Sequence, residues 1–89
     1  MKAIVTVVGP DRVGIIAEVC TMLASMNVNI VDISQTVMRE FFTMIMMVDT
    51  STANKTFDEI AEVLRCKEQE MGMSIRIQRE DIFHAMHRI

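Results

Sequence analysis

Tyrosine and tryptophan are absent from this chain of 89 residues, and four phenylalanines are its whole aromatic content. A sheet that recognises single-stranded RNA stacks bases on aromatics of its two central strands. The first strand-like run here has none, and Phe41 and Phe42 alternate onto opposite faces. Basic residues are few as well: nine, scattered, against twelve acidic ones, for a net charge of −3. That is not a nucleic-acid footprint. No apolar run approaches the roughly 18–20 residues of a membrane span. Met1-Lys2 leads straight into a strand and has no signal-peptide character. The two cysteines, Cys20 and Cys66, lack the CxxC spacing a copper chaperone needs. They read as reduced, buried small side chains, which points to a cytoplasmic protein. Internal repeats and low-complexity segments are missing too.

Catalytic groups are equally scarce. No nucleophile–base pair stands out, so an enzyme is not expected. The histidines, His84 and His87, are spaced i, i+3 near the end of the chain. With Glu80 or Asp81 they could make only a weak surface metal site. Two solvated histidines are the default, because a metal usually needs three well-oriented ligands. No cofactor is expected. The Gly9-to-Gly14 spacing matches the opening of a phosphate-binding P-loop, but Ile15 and Ile16 stand where Lys and Ser/Thr are required. Acylphosphatase-like catalysis needs an Arg and an Asn around a phosphate cradle; Arg12 is present, but the surrounding motif does not match.

What the chain has in excess is apolar surface. Hydrophobic residues make up 51% of it, ten of them methionine. A domain this small buries only roughly 60–65% of its unfolded surface. Methionine packs adaptably, so the count fits either a Met-rich core or a surface shared between subunits. The apolar excess favours the second, and a homodimer or a dimer of dimers is expected.

The elements follow from periodicity. Ala3 to Val8 is a β-branched run that stops at Gly9-Pro10, as a buried strand does. Helix one is expected from about Val13 to Met26, with Ile16, Val19, Cys20 and Leu23 at i, i+3, i+4 and i+7. Asn27-Val28-Asn29 turns the chain into strand two, Asn29 to about Arg39, whose broken alternation predicts a bulge near Val31-Asp32. Arg39-Glu40 is a short polar break, so strands two and three should form a hairpin. Strand three, Phe41 to Asp49, is apolar on both faces: Phe42, Met44, Met46 and Val48 on one, Phe41, Thr43, Ile45 and Met47 on the other. An antiparallel strand with one wet side would alternate more cleanly, so something should cover the second face. Helix two opens with a capping box, Thr56 to Glu59. Its apolar stripe is Phe57, Ile60, Ala61 and Leu64, with Asp58, Glu62, Arg65, Glu68 and Gln69 expected in solvent. Gly72 is a C-cap. Strand four, Met73 to Arg79, alternates strictly. The tail from Glu80 to Ile89 carries Ile82, Phe83, Met86 and Ile89 at helical spacing; so short a helix must dock to be stable.

The order β-α-β-β-α-β predicts one α+β domain over residues 1–89. It is a ferredoxin-like sandwich: a four-stranded antiparallel sheet, two helices on one face and a short C-terminal helix. Many functions use this fold, so the loop after strand one must carry the inference. Asp11 can cap helix one. Gly14, lacking a Cβ, lets a ligand or another backbone come close. The helix start offers unpaired N–H groups to a carboxylate or phosphate. Arg12 is a solvated loop charge by default and an anion clamp at best. Asn29 is a turn residue by default, separated from the Gly9 loop by helix one, though a neighbouring subunit could bring the two together.

Val-Val-Gly-Pro-Asp-Arg-Val-Gly-Ile-Ile (7–16), Asn-Val-Asn-Ile (27–30) and the Met-rich third strand resemble the ACT domain. The closing segment from Glu80 to Ile89 is similar to that of small stand-alone ACT proteins of bacteria and archaea. The resemblance implies a regulatory module that binds an amino acid between two subunits. It implies Gly9, Asp11, Val13, Gly14 and Ile15 as the loop contacts and Asn29 as the contact from the neighbour; Arg12 lies in the same loop. Serine-binding members carry a polar side chain where this chain has Gly9. A module without a small ligand, acting on an enzyme or transcription factor through its apolar face and tail, is the alternative.

Overall fold

A computed structural model describes residues 1–80. The expected C-terminal helix, with its apolar stripe and with His84 and His87, lies outside the described residues. The elements are β1 (Lys2–Pro10), α1 (Ile15–Ser25), β2 (Asn29–Met38), β3 (Phe41–Asp49), α2 (Phe57–Met71) and β4 (Ser74–Arg79). The strands form one antiparallel sheet in the order β2-β3-β1-β4. The βαββαβ fold expected from the pattern is therefore present.

Alternation along the central strands decides which face is packed. Ala3, Val5 and Val7 of β1 point one way, with Phe42, Met44, Met46 and Val48 of β3. Ile15, Val19 and Leu23 of α1 and Ile60 and Leu64 of α2 close over them in a single core. Met26, Met44, Met46, Met71 and Met73 are all buried there. Half of the methionines are thus core filler rather than shared surface. On the opposite face Ile4 is buried, Thr6 and Met47 are half-buried, and Val8, Phe41 and Ile45 are exposed.

The bulge is where the pattern places it: the β2–β3 register slips between Ile30 and Asp32. The extra residue turns the rest of β2 over by one position. The hairpin turns at Arg39-Glu40, with Arg39 at φ 58. The capping box of α2 is complete: Thr56 Oγ1 accepts from the Glu59 N–H at 3.2 Å, and Glu59 Oε1 accepts from the Thr56 N–H at 2.8 Å. The Thr56 backbone N–H first, and then the Thr56 side chain, hold the Glu59 carboxyl below the ordinary range. Gly72 ends α2 at φ 68.

Several expectations need correction. Strand β1 runs on through Gly9 and Pro10, which pair with Phe42 and Phe41; a proline is tolerated at the end of a strand. Helix α1 starts at Ile15, not Val13, and ends at Ser25. Its buried face is centred on Ile15, Val19 and Leu23, while Ile16 and Cys20 are only partly buried against it. Cys66 is exposed, because it lies off the stripe of Ile60, Leu64 and Met71. Glu68 is not simply solvated: it is half-buried, and its Oε1 accepts the Ile75 N–H at 2.8 Å, tying the end of α2 to β4.

Candidate functional site

The loop between β1 and α1 spans residues 11–14. Asp11 does not cap the helix. The N-cap is Gly14, at φ 90 and ψ 2, and no side chain caps the backbone N–H groups of the first turn. The first helical bond is Glu18 N–H to the Gly14 carbonyl at 2.9 Å. The N–H groups at the start of α1 are consequently uncapped, and they carry the positive end of the helix dipole. A capping oxygen would compete with a ligand for these donors; glycine leaves them open.

Asp11 acts through its backbone instead. Its N–H donates to the Glu40 carbonyl at 2.7 Å, which ties the loop to the β2–β3 turn. Its side chain makes no ion pair among the described residues. Arg12 is engaged: Nη1 donates to Glu18 Oε1 at 3.0 Å. That bond, helped by Lys67 at 3.8 Å from Glu18, keeps the Glu18 carboxyl below the ordinary range. The bond to Glu18 uses Nη1 alone and leaves the other guanidinium N–H groups of Arg12 out of the pair. Val13 is 96% exposed and Ile15 is 2% exposed. The Ile15 side chain is therefore taken up by the core and is not available to a ligand.

Gly9 has a packing reason to be glycine. A Cβ there would stand 3.0 Å from Met73 Cγ and Cε and 3.2 Å from Met73 Cβ. Met73 already fills the space into which a side chain at position 9 would project. No polar contact from that position is available unless Met73 moves. Gly9→Ala is expected to destabilise the fold by about 1–3 kcal/mol through overpacking, and Gly9→Ala with Met73→Val to recover part of the loss. Urea denaturation of the two variants measures this.

Asn29 lies at the far end of the molecule. It is exposed, and β3 residue Asp49 is its register partner, whereas Gly9 pairs with Phe42 of the same strand. Seven residues of β3 separate the two levels, roughly 23 Å at strand rise. One copy of the chain therefore does not bring the loop and Asn29 together. Asn29 lines an open pocket of ≈ 390 Å³ with Asn27, Asp49, Ser51 and Thr52. The surrounding turn is rigidly tied. Asn27, at φ 58, donates from Nδ2 to the Thr52 carbonyl at 2.7 Å, and Thr52 Oγ1 donates back to the Asn27 carbonyl at 3.2 Å. An acidic residue two before a serine at a strand end forms a local turn through its carboxylate, and Asp49 Oδ1 accepts the Ser51 N–H at 2.9 Å. Another opening, ≈ 480 Å³, lies between the helices over Met22, Val63 and Cys66, with lysines and glutamates at its rim. It touches none of the loop residues.

The βαββαβ fold is that of a class of regulatory modules. The chain belongs to the ACT-domain family, whose profile matches residues 2–78. It is 52% identical over 89 residues, the full length of both chains, to a UPF0237 protein of Listeria innocua. Among solved structures it is similar to an ACT domain protein from Streptococcus pneumoniae, at 42% identity and a TM-score of 0.82, covering 98% of each chain. It is also similar to the regulatory subunit of aspartate kinase from Thermus thermophilus. There the identity is 25% and the TM-score 0.68, over 86% of this chain and 50% of that one. ACT domains are regulatory, ligand-binding modules, and the match carries no catalytic function.

Proposed function

We propose that this chain, a single domain over residues 1–89, is a cytoplasmic sensor of a free amino acid, bound where two copies meet. The supporting observation is the edge strand β2. All of its residues but Ile30 are exposed, including Val31, Ile33, Val37 and Met38. Edge strands this long and apolar are normally blunted or paired. Its two ends carry the two halves of the candidate site. Met38 is level with Phe41 and Pro10, beside the loop, while Asn29 begins the strand. Antiparallel two-fold pairing of β2 with β2 of a second copy sets the start of one strand against the end of the other. Asn29 of the second copy then approaches the Gly9–Gly14 loop. The uncapped N–H groups of α1 hold the ligand carboxylate, Gly14 leaves it room, and Asn29 of the second copy closes the site. Ligand binds the paired arrangement better than the separate one, and the difference is the signal. A homodimer satisfies this; a dimer of dimers satisfies it twice.

The aspartate kinase relative is described as a regulatory subunit, which supports a role of reporting ligand to another protein. The exposed Val8, Phe41 and Ile45 on the open sheet face favour a second reading, a protein-docking module with no small ligand. Thermal denaturation against the twenty common amino acids separates the two. A ligand at 100 times its Kd adds about 2.7 kcal/mol, which raises Tm by roughly 10–20 °C in a domain this size. An amino acid that produces such a shift supports the sensor; no shift from any of them favours the docking module.

A further inference from the structure

We propose that Glu68 seals the β4 edge of the sheet against β4 of a further copy of this chain, so that copies join through β2 alone. The joining through β2 rests on the sensor reading above; the seal on β4 stands on its own geometry.

The sheet has two edges among the described residues, β2 and β4. Along a strand, the backbone groups of every second residue point to the same side. The Ile75 N–H donates to Glu68 Oε1 at 2.8 Å. A donor bonded to α2 rather than to β1 points out of the sheet, and the Ile77 N–H, two residues on, points the same way. An incoming strand would set a carbonyl oxygen about 2.9 Å from the Ile75 nitrogen. The carboxylate oxygen already holds that place. Glu68 is half-buried, and its backbone carbonyl accepts the Gly72 and Met73 N–H groups at 3.0 and 3.2 Å. The side chain that blocks the edge is thus anchored in the turn leading to it. Beside it a notch of ≈ 250 Å³ between α2 and β4, with Arg65 and Arg76 on its wall, leaves the edge otherwise approachable.

Strand β2 is guarded less. Asp32 Oδ1 accepts the Ile33 N–H at 2.9 Å, but Asp32 is exposed, lies at the bulge and bonds only its own neighbour. The N–H groups of Gln35 and Val37 point the same way as that of Ile33. β2 also offers ten residues where β4 offers six. In a pair joined through β2, both remaining edges are β4. A two-fold β4–β4 contact is antiparallel, and alternating it with β2–β2 contacts makes a sheet without an end. Each such contact requires a carboxylate of each copy to leave its donor. Losing one hydrogen bond to a charged group weakens association on the order of 10- to 100-fold.

Sedimentation velocity of the full chain and its Glu68 variants tests the seal. Glu68→Ala is expected to grow to at least about twice the parental mass, because the opened edges join pairs to one another. Glu68→Gln keeps an acceptor oxygen for the Ile75 N–H and is expected to stay at the parental size. Glu68→Lys loses the bond but sets like charges against each other across a β4–β4 contact, so it too is expected to stay at the parental size. The lysine variant separates an opened edge from a loosened α2–β4 turn, which alanine and lysine produce alike. Growth of both variants overturns the proposal, as does Glu68→Ala at the parental size. Where Glu68→Ala fails to fold, hydrogen exchange of the parent decides: the Ile77 amide is expected to exchange at least about tenfold faster than the Ile75 amide. Equal protection of the two shows an edge already paired and overturns the seal. A parent that runs as a single chain removes the β2 pairing and the shared site, whereas Glu68→Ala going from single chains to pairs supports the seal even then.

Discussion

Gly14→Val is expected to abolish the response to amino acid while leaving a folded protein. Gly14 holds φ 90 at the N-cap of α1, and nothing lies within 4 Å of the position a Cβ would take. The space is open, so the penalty is in the backbone. A β-branched residue in that conformation costs on the order of 1–3 kcal/mol, against the 5–15 kcal/mol that holds a typical domain together. The cheaper outcome is a rearranged first turn, which re-aims the uncapped N–H groups and removes the carboxylate subsite. Asn29→Ala should abolish the response by a different route. Asn29 is exposed and its side chain has no partner among the described residues, so its loss should leave Tm unchanged within a degree or two. Calorimetry against the amino acid that binds the parent, with circular dichroism as the control for folding, measures both. A response of parental size in both variants removes these residues from the site.

Ile33→Lys is expected to separate the copies and silence the response together. Ile33 is 41% exposed near the middle of β2. An antiparallel pair related by a two-fold axis sets the middle of one strand against the middle of its mate. The substitution then faces two ammonium groups across the axis, and juxtaposed like charges cost several kcal/mol. Subunit affinity should fall at least about 100-fold, which corresponds to roughly 2.7 kcal/mol. The single chain should stay folded, because Ile33 lies outside the core. Sedimentation velocity across a concentration series reads the first effect and calorimetry the second. A variant that self-associates like the parent would show that β2 is not the shared edge.

Which features were legible in the sequence depended on how local they are. The bulge at Ile30/Asp32 shows as a fault in the alternation of β2, because a slip of one residue changes which side chains face the core. The capping box, the hairpin at Arg39-Glu40 and the C-cap at Gly72 are set by residues within four positions of one another. The start of α1 is not. Asp11 is a good capping residue by type, but its N–H is held by Glu40, 29 positions away, and Gly14 takes over the cap. The identity of Gly9 is fixed by Met73 in the same way, through a contact that no local pattern announces. The half-burial of Glu68 and the exposure of Cys66 are non-local for a related reason. Helical spacing tells which stripe is buried, but not that β4 returns a backbone donor to Glu68. Of the candidate site, the loop and Asn29 could be named from the chain. Their separation by the length of β3, and the carboxylate of Asp49 beside Asn29, required the register.

The shared site is tested most directly by mixing. Gly14→Val has a spoiled loop and an intact Asn29; Asn29→Ala is the converse. Each is expected to be silent alone. Exchanged together in equal amounts, two-fold pairs form at random, and each mixed pair has one site built from the intact loop of one copy and the intact Asn29 of the other. Binding capacity should return to about a quarter of the parental value, at parental affinity. If loop and asparagine served the same copy, every site in the mixture would still carry a lesion, and a mixture as silent as its components would contradict the account.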